Sequence, residues 1–167
     1  MRKARSVACA SLILFLLTTA RAPAHVKVFV NPGWTKAPAC TYAEFIVRVP
    51  NERPNSTVRV ELTIPKSVTA YAVRPDNGWK ASFTMDRGRI VKITWSEGRL
   101  NPREYVTFGF LAATPKTPQL ISWDALQTYE DGTVVSWTGP PNAETPHSQT
   151  EITRPLNKDD CHPRGIR

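Results

Sequence analysis

Past residue 24 the sequence has no window with a helical period, and no apolar run near the roughly 20 residues that a membrane-spanning helix needs. Fifteen prolines among 167 residues reinforce the first absence, because a proline inside a helix costs about 3 kcal/mol. Long helices are thereby excluded from the expected fold, and the chain after residue 24 is expected to be soluble, with no membrane anchor. Runs of one charge are missing too. The formal net charge is +8, yet the basic residues are scattered, without the clustering that a nucleic-acid surface requires. No nucleic-acid partner is expected. There is also no internal repeat and no low-complexity linker, so one domain accounts for the length.

What is present begins with a targeting segment. Residues 1–24 open on Arg2, Lys3 and Arg5, continue through the apolar run Leu12-Ile13-Leu14-Phe15-Leu16-Leu17, and close on the small residues Ala22 and Ala24. That three-part order is the grammar of a cleaved secretory signal peptide. It places the protein in the periplasm or outside the cell, with a mature chain that begins at His25. The segment also carries four basic residues and no acidic one, so its removal lowers the formal charge by four. Of three cysteines, Cys9 leaves with it. Cys40 and Cys161 remain, able to form a disulfide in an oxidising compartment or to stay as two thiols.

The rest of the chain alternates with period two and stops at proline, glycine or asparagine. Strands are expected over His25 to Val30, Tyr42 to Val49, Ser56 to Ile64, Ala81 to Met85, Ile90 to Trp95, Tyr105 to Ala112, Ala125 to Tyr129 and Thr133 to Trp137. In the clearest, Val58, Val60, Leu62 and Ile64 oppose Arg59, Glu61 and Thr63. Asp86-Arg87-Gly88-Arg89 reads as a hairpin turn, with glycine free to take positive φ. Seven to nine short strands at such spacings describe an all-β fold, an immunoglobulin-like or fibronectin-like β-sandwich. It would span residues 25–156 and be followed by a polar tail, 157–167.

Cleavage after Ala24 would put a free α-amine on His25. The amine and the imidazole Nδ1 can close a six-membered chelate ring on one metal ion; a solvent-facing histidine at a strand start is the alternative. If the first two strands run antiparallel, the chain returns past Pro50-Asn51 to bring Glu52 back toward His25. There Glu52 is either a solvated turn residue or an oxygen donor, and in the second case nitrogen and oxygen together suit a tetragonal Cu(II) centre. A disulfide from Cys161 to Cys40 would hold His162 at the far end of that hairpin, away from His25. His147 follows Trp137 in a proline-rich stretch expected to be a loose polar tail.

The sequence resembles the YcnI-like copper-binding domain family, long catalogued as a domain of unknown function. The resemblance is carried by Ala24-His25-Val26-Lys27-Val28, by Tyr42 to Glu52 with its ending Val49-Pro50-Asn51-Glu52, by Gly78-Trp79 and by Phe108-Gly109-Phe110. Its most specific piece is Ala125-Leu126-Gln127-Thr128-Tyr129-Glu130-Asp131-Gly132-Thr133-Val134-Val135-Ser136-Trp137-Thr138-Gly139-Pro140-Pro141. It implies an exported β-sandwich that binds one Cu(II) per chain through a mono-histidine brace, with His25 as the chelating residue, Glu52 as the carboxylate ligand and Trp137 beside the metal. Indole donates through its N–H and is a poor copper ligand, so Trp137 is read as a wall that excludes water and fixes the ligands. Cys40 stands where relatives tend to have glycine, which makes its bond to Cys161 a local addition.

Three functions remain open at this point. The first is a copper chaperone or buffer, with no catalytic residue, that passes its ion to another copper-trafficking protein. The second is a copper-dependent oxidase or monooxygenase on the same sandwich, which usually needs a second histidine. The third is a structural or adhesion sandwich without metal.

Overall fold

The computed structural model describes residues 25–75, 78–157 and 161; the expected signal peptide lies outside the described residues, as do His162 and most of the polar tail. The described residues form twelve strands and no helix: β1 (Lys27–Val30), β2 (Lys36–Pro38), β3 (Tyr42–Pro50), β4 (Thr57–Thr63), β5 (Thr69–Val73), β6 (Lys80–Asp86), β7 (Arg89–Ser96), β8 (Tyr105–Ala113), β9 (Gln119–Trp123), β10 (Ala125–Tyr129), β11 (Val134–Trp137) and β12 (Ser148–Thr153). Eight correspond to the strands read from alternation. The other four, β2, β5, β9 and β12, raise the count above the seven to nine expected.

Two sheets face each other, one with strand order β1-β3-β8-β5 and one with order β11-β10-β4-β7-β6. The fold is an all-β sandwich. Alternation does the sorting: Phe45, Val47 and Val49 of β3 are fully buried, while Arg48 between them faces out. Phe108 and Phe110 of β8 point the same way, and Phe108 stacks on Trp95 of β7 with ring centroids 4.6 Å apart. Trp123 packs against both Phe45 and Phe110. A buried aromatic side chain removes some 150–250 Å² from water, so this inter-sheet cluster supplies much of the apolar stabilisation.

In β4 the expected face is kept by Val60 and Leu62, and by Ile64 just past its end, but Val58 is only half-buried and Thr57 is buried in its place. The cause is a register shift opposite it, between Thr128 and Tyr129 of β10. An extra residue in one strand reverses which side chains face the core. The β6–β7 hairpin turns as expected, with Arg87 and Gly88 both at positive φ, 47° and 77°, the backbone that a two-residue turn of matching twist demands.

A third, smaller sheet, of order β2-β12-β9, joins the sandwich beside β1. Only Asp124 separates β9 from β10, so the chain passes directly from this sheet into the larger one. The Val28 N–H donates to Ser148 Oγ at 2.8 Å, fixing the start of β12 to the middle of β1. Residues 140–153 are therefore an ordered part of the domain, which corrects the expectation of a loose tail around His147.

Cys40 and Cys161 form a disulfide, with Cα atoms 5.0 Å apart and a sequence separation of 121. It ties the end of the described chain to the loop before β3, at the opposite end of that strand from Pro50.

Candidate metal site at the start of the first strand

β1 pairs antiparallel with β3, Lys27 opposite Arg48 and Val30 opposite Phe45. Continued two residues, this register sets His25 level with Pro50, so the turn that follows β3 lies beside the beginning of the described chain. The turn is built on Asn51, whose side chain is 1 % exposed. Its amide donates to the carbonyls of Asn55 and Leu100, and its Oδ1 accepts the Arg53 N–H. A buried amide with its hydrogen-bonding groups engaged is costly to move. Glu52, between Asn51 and Arg53, is thus carried on a rigid support.

Trp137, at the end of β11, is 7 % exposed, and its ring centroid lies 5.5 Å from that of His25, the planes tilted by 54°. Its indole N–H donates to Gln127 Oε1 at 3.1 Å. Gln127 is fully buried on β10 and donates through Nε2 to the Pro50 carbonyl at 3.0 Å and to Thr57 Oγ1 at 2.8 Å. Because indole only donates and a carbonyl only accepts, the orientation of this amide is set by its partners. One side chain therefore connects the tryptophan beside His25 to the residue that precedes Asn51 and Glu52.

The structure brings His25 and Trp137 into ring contact, with Glu52 on the neighbouring turn. Glu52 does not line the groove beside His25; it borders an adjoining cavity with Asn51, Arg103, Glu104 and Tyr105. Its charge is felt by Tyr129, whose phenol is pushed up mainly by burial, with Glu52 and Asp131 adding to the rise and Arg53 opposing it. Arg53 lies over the Tyr129 ring at 5.2 Å, a cation–π contact that packs the residue after Glu52 against β10.

The turn is also clamped to the β10–β11 hairpin that carries Trp137. Glu130 accepts the Ser56 N–H at 3.1 Å, and its own N–H donates to the Ser56 carbonyl at 2.9 Å. Asn55 donates to Asp131 at 2.6 Å, and Arg99 pairs with Glu130 at 2.6 Å. The Ser56 N–H, together with Arg99, holds the Glu130 carboxyl below its ordinary value of 4.5, and the Thr133 N–H does most to hold Asp131 below 3.8.

His25 is half-buried, and its Nε2 is a buried atom without a hydrogen-bond partner. An imidazole nitrogen in that position is one that a change at the chain start, or a bound ion, would have to accommodate. Among the described residues no three His, Cys, Asp or Glu side chains come together as a metal-binding group. His25 and Glu52 supply at most two such ligands. In the continuous chain the His25 nitrogen is a peptide nitrogen, and a third strong donor arises only if the bond after Ala24 is cut.

His147 stands just before β12, its N–H donating to the Gly139 carbonyl at 2.9 Å. Its Nε2 lies 3.1 Å from Ser122 Oγ and 3.2 Å from Gln149 Nε2, and its Nδ1 lies 3.9 Å from Asp124 Oδ1. With His25 it lines one groove of about 250 Å³. Sequence reading did not find Gln127 or Asn51 as site-building residues. The available signal was a polar side chain at an inward position, Gln127 between Ala125 and Tyr129.

The family model described as a domain of unknown function, DUF1775, matches residues 25–156. The copper-binding protein CutI of Bacillus subtilis (strain 168) is 34 % identical over 165 residues, which cover 97 % of this chain and 79 % of that protein. A crystal structure of an uncharacterized protein from Nocardia farcinica, described as an immunoglobulin-like fold, superposes with a TM-score of 0.67 at 29 % identity, covering 77 % of this chain and 98 % of the other.

Proposed function

Because the chain belongs to the DUF1775 family, we propose that it is an exported copper-binding protein that holds one Cu(II) at His25 after its signal peptide is removed. The CutI relative, named for copper binding, supports the choice of metal. The observation that carries the site is the connected set around His25: Trp137 against its ring, Gln127 behind Trp137, and Pro50 leading into the Asn51-Glu52 turn. The amine and imidazole of His25 and the carboxylate of Glu52 provide a mixed nitrogen and oxygen set of the kind that suits Cu(II).

In this reading the protein is a chaperone or buffer of the periplasm or extracellular space and passes copper to a trafficking partner. Trp137 contributes bulk beside the ligands. Buried and hydrogen-bonded through its N–H, it excludes water from one side of the imidazole and offers the ion no place to bind. The copper-binding name of the CutI relative and the immunoglobulin-like fold support reading the chain as a binding protein and not as an oxidase.

Cu(II) titration of the protein beginning at His25, followed by electron paramagnetic resonance, tests the reading. One tight equivalent with a tetragonal nitrogen and oxygen signature is expected, lost in His25→Ala and in a chain with one glycine added before His25. Glu52→Ala should weaken it. Full affinity in the glycine-extended chain would defeat the chelate, and copper-dependent oxidation in the presence of a reductant would replace the chaperone reading with an enzyme.

A further inference from the structure

His25 lines a groove with His147, whereas Glu52, the proposed carboxylate ligand, borders a different cavity. One side of the His25 ring is covered by Trp137, and the groove opens elsewhere, lined by β1 residues and by Pro141, Pro146, His147, Ser148 and Gln149. We propose that this groove is the route by which copper reaches and leaves His25, with His147 as a transient ligand on its far wall. The proposal rests on the copper reading above.

The chemistry of His147 suits the role. Ser122 has a hydroxyl and Gln149 an amide N–H to donate, and both face Nε2, so that nitrogen presents its lone pair and the proton sits on Nδ1. Asp124 stands behind Nδ1 at 3.9 Å. That distance is too long for a hydrogen bond, so Asp124 acts only through its charge, favouring the proton on Nδ1 and leaving Nε2 as the nitrogen able to bind a metal. The two donors are light, neutral and partly solvated, so an arriving cation can displace them. Among the described residues the polar contacts of the ring are Ser122, Gln149 and Asp124, so the ring offers one good ligand, enough for passage and too little for tight retention.

Its placement fits as well. The Val28 N–H bond to Ser148 Oγ sets the residue after His147 beside Val28, three residues along the chain from His25, a backbone distance of roughly 10 Å at strand spacing. His147 is therefore a neighbour of the His25 site. Release of an ion from a chelate proceeds one bond at a time, and an incoming ligand must be present before the last bond breaks. Trp137 denies that approach on its side; the groove permits it and holds an imidazole ready.

The test uses the protein beginning at His25, loaded with one equivalent of Cu(II), with EDTA as the acceptor and tryptophan fluorescence as the stopped-flow signal. His147→Phe and His147→Gln should slow both loading and removal by about tenfold, the equivalent of about 1.4 kcal/mol in barrier, while the equilibrium affinity and the paramagnetic resonance spectrum stay unchanged. His147→Gln keeps a polar side chain against Ser122 and Gln149, so a folding defect confined to the phenylalanine variant leaves the test intact. In His25→Ala, added Cu(II) should still broaden the His147 ring protons in the NMR spectrum. Unchanged rates in both variants, or an unbroadened His147, would overturn the proposal. A loss of affinity would also overturn it by making His147 a resident ligand. Failure of the unsubstituted protein to bind copper at all would instead sink the reading on which the route depends.

Discussion

Gln127 shows how much a single buried polar residue organises here. Its amide has one acceptor oxygen and two donor hydrogens, and the three are taken by Trp137, Pro50 and Thr57. Gln127→Leu keeps the approximate volume and abandons all three partners, of which Thr57 and Trp137 are buried while Pro50 is half-buried and borders the cavity beside Glu52. Leaving a buried polar group unpaired costs about 1–3 kcal/mol, and the Trp137 indole N–H loses its acceptor, so a loss of about 1–3 kcal/mol is expected in urea denaturation. The same variant should raise the copper dissociation rate of the His25-initiated protein, because Trp137 and the Glu52 turn would no longer be held to one another. Stability reduced with copper dissociation unchanged would limit Gln127 to packing. His25, Glu52 and Trp137 could be proposed from the sequence because each sits in a local pattern: the end of an expected signal peptide, the end of a strand, a long motif. Gln127 and Asn51 were not, since what matters in them is which distant carbonyls they reach, and no local pattern encodes that.

At the scale of elements, the strands that alternation revealed are those with a complete inward face, such as β3 with Phe45, Val47 and Val49. Those it missed each break the pattern for a physical reason. β2 is three residues long and contains Pro38; β5 has a register shift between Ala70 and Ala72; β9 and β12 bury only two residues each, and β12 is held between β2 and β9. The β10–β11 hairpin matters most for the site, because Glu130 and Asp131 clamp it to Asn55 and Ser56 close to Glu52. Both carboxyls titrate below their ordinary values in the folded chain, so the unfolded chain binds protons first as the pH falls. Their contribution is fully present above the unfolded values of 4.5 and 3.8 and is lost as the pH falls below that range through the folded ones. Urea midpoints measured across that range should fall with acidity, and the fall should be shallower in Glu130→Gln and in Asp131→Asn. A slope identical to that of the unsubstituted protein would show that the clamp does not distinguish the two states.

Across the whole molecule, the candidate site and the disulfide occupy opposite ends of β3. Pro50 stands at the His25 end, and Cys40 precedes Tyr42 at the other, a separation of roughly 25 Å at strand spacing. Closing a loop with a sequence separation of 121 restrains the unfolded chain far more than the folded one, and the chain-entropy model credits such a loop with about 4–5 kcal/mol. The stabilising bridge and the proposed ion site are therefore separable by position. Replacing both cysteines, Cys40→Ser with Cys161→Ser, should lower the thermal midpoint and the free energy of unfolding by most of that amount. Copper affinity and the paramagnetic resonance spectrum of the His25-initiated protein should not change at temperatures where the variant remains folded, because nothing in the Asn51, Gln127 and Trp137 network reaches the disulfide. A parallel loss of copper affinity in the folded variant would show that the C-terminal tether acts on the metal end through the sandwich, and the site would then have to be treated as coupled to the full length of β3.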